Sequence, residues 1–232
     1  AYAGKAYVYY GSSSGIDLSS EEVLSASDSD SYDYFGASVA GAGDLDGDGY
    51  DDLIIGAYVD EEGGLYAGAA YVYYGSSVGV DASRETKLFA SDSSTGQYFG
   101  TDVAAAGDVD GDGYDDVIVG APYDNELSTG AGASYVYFGS SDGVSAASEV
   151  KLLPELSTTY QYAGTAVSGD IDVNGDGYDD VIVGAPIVSS SSGAVIVYYG
   201  SSTGPSTADT TRVVANDSAS AARFGNLSLI HI

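Results

Sequence analysis

Asp44-Leu45-Asp46-Gly47-Asp48-Gly49-Tyr50-Asp51-Asp52 runs directly into the apolar stretch Leu53-Ile54-Ile55-Gly56-Ala57. The loop returns as Asp108-Val109-Asp110-Gly111-Asp112-Gly113-Tyr114-Asp115-Asp116. It returns again as Asp172-Val173-Asn174-Gly175-Asp176-Gly177-Tyr178-Asp179-Asp180. The step is 64 residues both times. Working outward, Tyr7-Val8-Tyr9-Tyr10-Gly11 recurs from Tyr71 and from Tyr135, and then 61 residues later as Ile196-Val197-Tyr198-Tyr199-Gly200. The chain is therefore an array of one repeated unit, and that period has to be read before any single motif.

Each unit reads as strands. A small-residue run (Ala37 to Ala42) precedes the acidic loop, and Leu53 to Ala57 follows it. Ala69 to Tyr74 is rich in tyrosine and valine, and Thr86 to Ala90 is a weaker fourth run. β-branched and aromatic runs between Gly/Ser/Asp clusters are strand signals. No segment sustains a 3.6-residue apolar period, and the 33 glycines disfavour long helices. The expectation is an all-β chain with one four-stranded propeller blade per unit, since a lone sheet buries both faces only by stacking on its neighbours. Glycine and alanine in the first run suit the crowded innermost position.

The units divide the chain into a partial blade (1–34), three repeats each with an acidic loop (35–98, 99–162 and 163–223), and the start of another (224–226). Residues 227–232, Leu227 to Ile232, match nothing else and read like a translated sequencing adapter. They are set aside as a non-native tail, and with them the single histidine, His231. The chain holds no methionine, so no native start is expected within it, and its first residues show no signal-peptide pattern.

Composition narrows the function. The formal charge is −29, with 35 acidic residues against 6 basic ones. Nucleic acid is not expected as a partner, because phosphate recognition needs basic patches. No cysteine is present, so neither disulfides nor thiol chemistry arise. No apolar run is long enough to span a membrane.

The loops point to a hard cation. Side-chain oxygens stand at positions 1, 3, 5 and 9: Asp44, Asp46, Asp48 and Asp52 in loop 1, and Asp108, Asp110, Asp112 and Asp116 in loop 2. In loop 3 they are Asp172, Asn174, Asp176 and Asp180. Position 6 is always glycine, which permits the positive φ of a sharp turn. Position 7 is Tyr50, Tyr114 or Tyr178, whose backbone carbonyl is the expected ligand. Calcium takes such all-oxygen shells; magnesium prefers a smaller octahedron with retained waters, and zinc wants His or Cys. An EF-hand would need glutamate at position 12 between helices, whereas position 12 is Ile55, Val119 or Val183. Three calcium sites are expected, loose when empty and ordered when filled.

Phe35-Gly36 with Gly56-Ala57-Tyr58, Phe99-Gly100 with Gly120-Ala121-Pro122, and Ala163-Gly164 with Gly184-Ala185-Pro186 complete the pattern; Phe224-Gly225 opens a further copy. This resembles the FG-GAP repeat of integrin α-subunit propellers and their bacterial or archaeal relatives. Tyr58 for proline and Ala163 for phenylalanine are the departures, and neither is at a ligand position. The resemblance implies a seven-bladed ring, of which this chain holds about three and a half blades. It implies calcium loops joining the first two strands of a blade on one face and ligand-binding loops on the other. Such an open arc, with an unclosed edge, is expected to be marginally stable or aggregation-prone alone.

The leading expectation is a non-catalytic extracellular or cell-surface module for adhesion, or for recognition of a protein or glycan ligand on the face opposite the calcium loops. Candidate contact loops there are Asp60-Glu61-Glu62, Tyr123-Asp124-Asn125-Glu126 and the segment around Gln97-Tyr98. The alternatives are an accessory propeller of a secreted polysaccharide- or lipid-cleaving enzyme, or a purely structural surface repeat. Fifteen of the 35 acids lie in the loops and the adjoining Asp170; a carboxylate pair could serve acid–base catalysis, but nearly all the clustered carboxylates are claimed by the expected metal. Asn216-Asp217-Ser218 matches a glycosylation acceptor.

Overall fold

The computed structural model describes residues 3–28, 32–155, 159–188, 193–214 and 223–226. The tail and the Asn216 triplet lie outside this set. Among the described residues there is no α-helix, only a 3-10 turn at Ala146–Ser148.

Three four-stranded antiparallel meanders carry the chain. The first runs β5 (Ser38–Gly43), β6 (Asp52–Ala57), β7 (Ala69–Tyr73) and β8 (Glu85–Leu88) in spatial as well as chain order. The second is β9 (Val103–Gly107), β10 (Asp116–Ala121), β11 (Ala133–Tyr137) and β12 (Glu149–Leu152). The third is β13 (Ala166–Ile171), β14 (Asp180–Ala185), β15 (Ala194–Tyr198) and β16 (Thr210–Val213). Ahead of them, β1 (Ala6–Val8) pairs with β4 (Glu22–Leu24), with the small hairpin of β2 (Gly11–Ser12) and β3 (Gly15–Ile16) between. The sheets stack through their first strands, β5 on β9 and β9 on β13. Small side chains in those strands permit this crowding, as the sequence leads one to expect. The result is a set of partial β-propeller blades.

Second and third strands are buried almost throughout, β10 and β11 along their full length. This matches their near-continuous apolar sequence, as for a sheet covered on both faces. Phe35 stands edge-on to Tyr71 and Tyr73, with ring centroids 5.4 and 6.2 Å away. Phe99 repeats the contact with Tyr135 and Tyr137 at 5.3 and 6.1 Å. In the third unit the phenylalanine becomes Ala163 and the first tyrosine becomes Ile196, both inside one apolar cluster.

The Phe-Gly and Gly-Ala motifs meet across neighbouring sheets. A Cβ built on Gly56 would lie 2.2 Å from the carbonyl oxygen of Gly100; on Gly120 it would lie 2.0 Å from that of Gly164. Gly184 meets Gly225 in the same way, also at 2.0 Å. The phenylalanine is tied to the preceding sheet as well: the Phe99 amide donates to the Ala67 carbonyl at 2.9 Å. Asp102, at the inner rim, accepts from Ser38 Oγ of the preceding sheet and from the Val167 amide of the following one, each at 2.9 Å.

Gly120→Ala forces backbone apart rather than displacing a flexible side chain. It is expected to cost about 3 kcal/mol or more, read as a lower denaturation midpoint in urea. An alanine at Gly49, where nothing lies within 4 Å, should cost only the strain of its positive φ.

Candidate metal centre and the opposite loop face

A register shift interrupts the β5–β6, β9–β10 and β13–β14 ladders at the mouth of each acidic loop. Such bulges turn a strand and re-aim its side chains. Within each loop, short polar side chains fold the backbone around themselves. In loop 1, Asp44 accepts from the Asp48 amide at 3.0 Å and the Gly49 amide at 2.9 Å, while Asp48 accepts from the Tyr50 amide at 3.0 Å. Loop 2 repeats these bonds from Asp108 and Asp112. Loop 3 does so from Asp172 and Asp176. The glycine at position 6 has φ of 90°, 93° and 92° in the three loops.

The carboxylates converge. Asp44, Asp46 and Asp48 offer oxygens within 4.8 Å of one another, and so do Asp108, Asp110 and Asp116. In loop 3, Asn174 turns its amide nitrogen to Asp176 Oδ2 at 2.9 Å. Among the described residues no trio of carboxylates closes there.

Position 9 has a second duty that the sequence does not show. Asp52 is fully buried and accepts from the Leu45 amide at 2.9 Å and the Gly75 amide at 2.7 Å. Asp116 does the same with Val109 and Gly139, and Asp180 with Val173 and Gly200. Burial, with the negative charge of Asp46 and Asp44 added, pushes the Asp52 carboxyl up to about 6. Burial, with Asp110 and Asp112 added, pushes Asp116 up to about 8. These loops concentrate oxygen donors and negative charge and fit a hard divalent cation, with no nitrogen or sulfur donor among them.

Positions 7 and 8 join one loop to the next. Asp115 Oδ2 accepts from the Asp44 amide at 2.8 Å, and Asp179 Oδ2 from the Asp108 amide at 3.0 Å. The Tyr114 ring covers Gly47, and the Tyr178 ring covers Gly111; a Cβ on either glycine would stand 2.6 Å away.

The acidic loops all join first to second strands. The connections at the other end of the sheets carry a chain of tyrosine rings. Centroids are 5.5 Å apart from Tyr34 to Tyr58, 6.0 Å from Tyr58 to Tyr98, 5.0 Å from Tyr98 to Tyr123, and 4.9 Å from Tyr123 to Tyr162. Tyr66 stacks on Tyr98, and Tyr160 leans on Tyr162. Tyr34, Tyr98 and Tyr162, each just before the Phe-Gly position, have φ of 59°, 56° and 55°. Only glycine takes that conformation freely, so each tyrosine carries strain.

The contact loops expected from sequence are used differently. Asp60 and Asp124 are buried. Lys151 Nζ reaches Asp124 at 2.9 Å and Glu126 at 2.7 Å, and Tyr135 Oη donates to both Asp92 and Asp124 at 2.9 Å. Gln97, also buried, donates to Asp124 at 2.9 Å. Lys87, Tyr71, Asp28, Asp60 and Glu62 form the same knot one unit earlier. Burial pushes the Asp28 and Asp92 carboxyls up, but the lysine and tyrosine hydrogen bonds outweigh it and leave both below the ordinary value. So the acids of Asp60-Glu61-Glu62 and of Asp124 to Glu126 are in large part cross-links, while Tyr98 and Tyr123 belong to the ring chain. In the third unit Val188 stands for the buried aspartate and Ile196 for the tyrosine, both buried, and Arg212 is exposed.

A family model for the FG-GAP repeat matches residues 35–73, 99–137 and 163–198. The chain carries three FG-GAP repeats. It is 34% identical to integrin alpha-4 of Xenopus laevis over 157 residues, 66% of this chain and 14% of that protein. It is 36% identical to integrin alpha-PS2 of Drosophila melanogaster over 162 residues, 66% of this chain and 11% of the relative. Human integrin alpha-7 is 37% identical over 152 residues, 65% of this chain and 12% of the relative. This FG-GAP chain thus spans less than a sixth of the length of these integrin-α relatives. No helix among its described residues is long and apolar enough to cross a membrane.

Lys151→Ala leaves Asp124 buried without its cation and should cost about 3 kcal/mol, measured by chemical denaturation. Adding Asp124→Val and Tyr135→Ile, the third unit's apolar pair, should recover most of that loss.

Proposed function

We propose that this FG-GAP array is a non-catalytic, calcium-braced recognition module, acting outside the cell or at its surface. The observation that carries the reading is the threefold recurrence of one oxygen-rich loop with the same Asx hydrogen bonds and the same glycine conformation. The ligands would be Asp44, Asp46, Asp48, Asp52 and the Tyr50 carbonyl in loop 1, and Asp108, Asp110, Asp112, Asp116 and the Tyr114 carbonyl in loop 2. In loop 3 they would be Asp172, Asn174, Asp176, Asp180 and the Tyr178 carbonyl. Calcium, when bound, would supply the positive charge that lets these carboxylates stay ionised side by side. The chain's part is to hold the donors in place, through the backbone amides gathered by Asp44, Asp108 and Asp172 and the paired amides on the position-9 aspartates. The repeats at 35–98, 99–162 and 163–223 are proposed as the units so braced, within a larger ring of seven.

The tyrosine chain on the opposite loops is the proposed ligand surface, for a protein or glycan partner. Two features support it: its continuity across three units, and the strain in the tyrosines preceding each Phe-Gly position. Strained residues persist where the surrounding structure holds them for use.

Calcium titration by calorimetry tests the metal reading. Up to three sites are expected, and chelation with EGTA should lower the melting temperature. A site filled at a hundred times its dissociation constant adds about 2.7 kcal/mol. A flat titration, or an unchanged melt on chelation, refutes it. Tyr98→Ala and Tyr123→Ala should abolish capture on a panel of immobilised matrix proteins and glycans while leaving calcium binding intact.

A further inference from the structure

The three loops are not electrostatically equal. Arg84 lies between the Tyr74 ring, 4.2 Å from its centroid, and Asp46, whose Oδ2 it meets at 2.8 Å. Tyr74 is itself buried and accepts from the Val144 amide at 2.9 Å, so the ring that seats the guanidinium is fixed. The Asp46 side chain is only 6% exposed, which limits the screening of this pair by solvent. Asp46 is the position-3 donor of loop 1. One unit later the place of Arg84 is taken by Ser148, whose hydroxyl instead bonds backbone groups of Phe138 and Ser145. One unit further it is Asp209. Among the described residues no lysine or arginine forms an ion pair with loop 2 or loop 3.

Loop 3 departs in another way. Its position 3 is Asn174, neutral, with both polar atoms engaged by Asp176: the oxygen accepts from the Asp176 amide, and the nitrogen donates to its carboxylate. Loop 2 keeps four aspartates at positions 1, 3, 5 and 9 with no cation against them.

We infer that Arg84 and Asn174 set a hierarchy among the sites, with loop 2 the high-affinity calcium site and loops 1 and 3 weaker. This rests on the calcium reading of the loops. Both residues lower the negative charge at position 3 by about one unit, by opposite devices: a guanidinium laid against the carboxylate in loop 1, and an amide in its place in loop 3. Affinity in oxygen-ligand loops follows donor charge and rigidity. A unit charge on the order of 6 Å from a divalent ion in a water-like dielectric shifts the binding constant about tenfold. Arg84 is thus a positioning residue: it touches a donor and not the ion.

The test is calorimetric titration of the whole 232-residue chain with calcium chloride at low ionic strength. The expected result is one tight site followed by two weaker ones. Arg84→Ser installs the residue found at Ser148 and should move one site into the tight class, about tenfold. Asn174→Asp installs the residue found in loops 1 and 2, and should move another independently of Arg84. The double variant should give three matched sites, and Asp110→Asn should remove the tight class from the parent chain. Far-UV circular dichroism checks that each variant folds, and the two single variants stand separately if one does not. Three equal sites in the parent chain, or a tight class unchanged in both single variants, overturns the hierarchy while leaving the calcium reading in place. No calcium binding at all overturns both.

Discussion

Neighbouring sheets here are spaced by backbone touching backbone. The glycine one residue before the end of each second strand lies under the carbonyl of the Phe-Gly-position glycine of the next unit, closer than any Cβ allows. That contact fixes how near the inner strands come, and so why they carry alanine and glycine. It also fixes how far outward the tyrosines of the third strands must reach to fill the wedge. Where the wedge is filled differently, in the third unit, two of the three ring positions shrink together to Ala163 and Ile196, while Tyr198 keeps the third. The family's name-giving residues are thus the two sides of one packing contact.

The same spacing brings the acidic loops into line. Asp115 and Asp179 each reach back to the amide that starts the previous loop, and Tyr114 and Tyr178 lay their rings over its glycine. Order in one loop is thereby shared with its neighbour. At the far end of the sheets the connections do different work. Lysine–tyrosine–aspartate knots cross-link them from within, and a chain of tyrosines lies over the outside.

Much of this was legible in sequence because the repeat writes it out several times. The 64-residue step of Asp44, Asp108 and Asp172 marks the units, and the runs between glycine clusters fall within a residue or two of the strands found. What sequence left hidden is what depends on contact between units. Position 8 of the loops, Asp51, Asp115 and Asp179, is given no role from sequence, yet the latter two hold amides of the preceding loop. Asp60 and Asp124 read as part of candidate contact loops, because Lys87 and Lys151 are 27 residues away and only the third-to-fourth strand pairing brings them in. The tyrosines before each Phe-Gly position carried a detectable signal, an aromatic recurring at 34, 98 and 162, although their left-handed backbone was not readable from it.

The bonds between units recur at fixed offsets: Asp115 to Asp44 and Asp179 to Asp108 are 71 residues apart, and Tyr10 to Val80 and Tyr74 to Val144 are 70 apart. The second unit thus carries both halves of the acidic-loop joint, Asp115 for the unit before and the Asp108 amide for the unit after. A duplicated stretch of gene arrives with its fittings already cut, and copy number can change without any new interface having to be invented. Differences between copies, such as Arg84 in one loop and Asn174 in another, can then accumulate inside units while the acidic-loop joint stays the same.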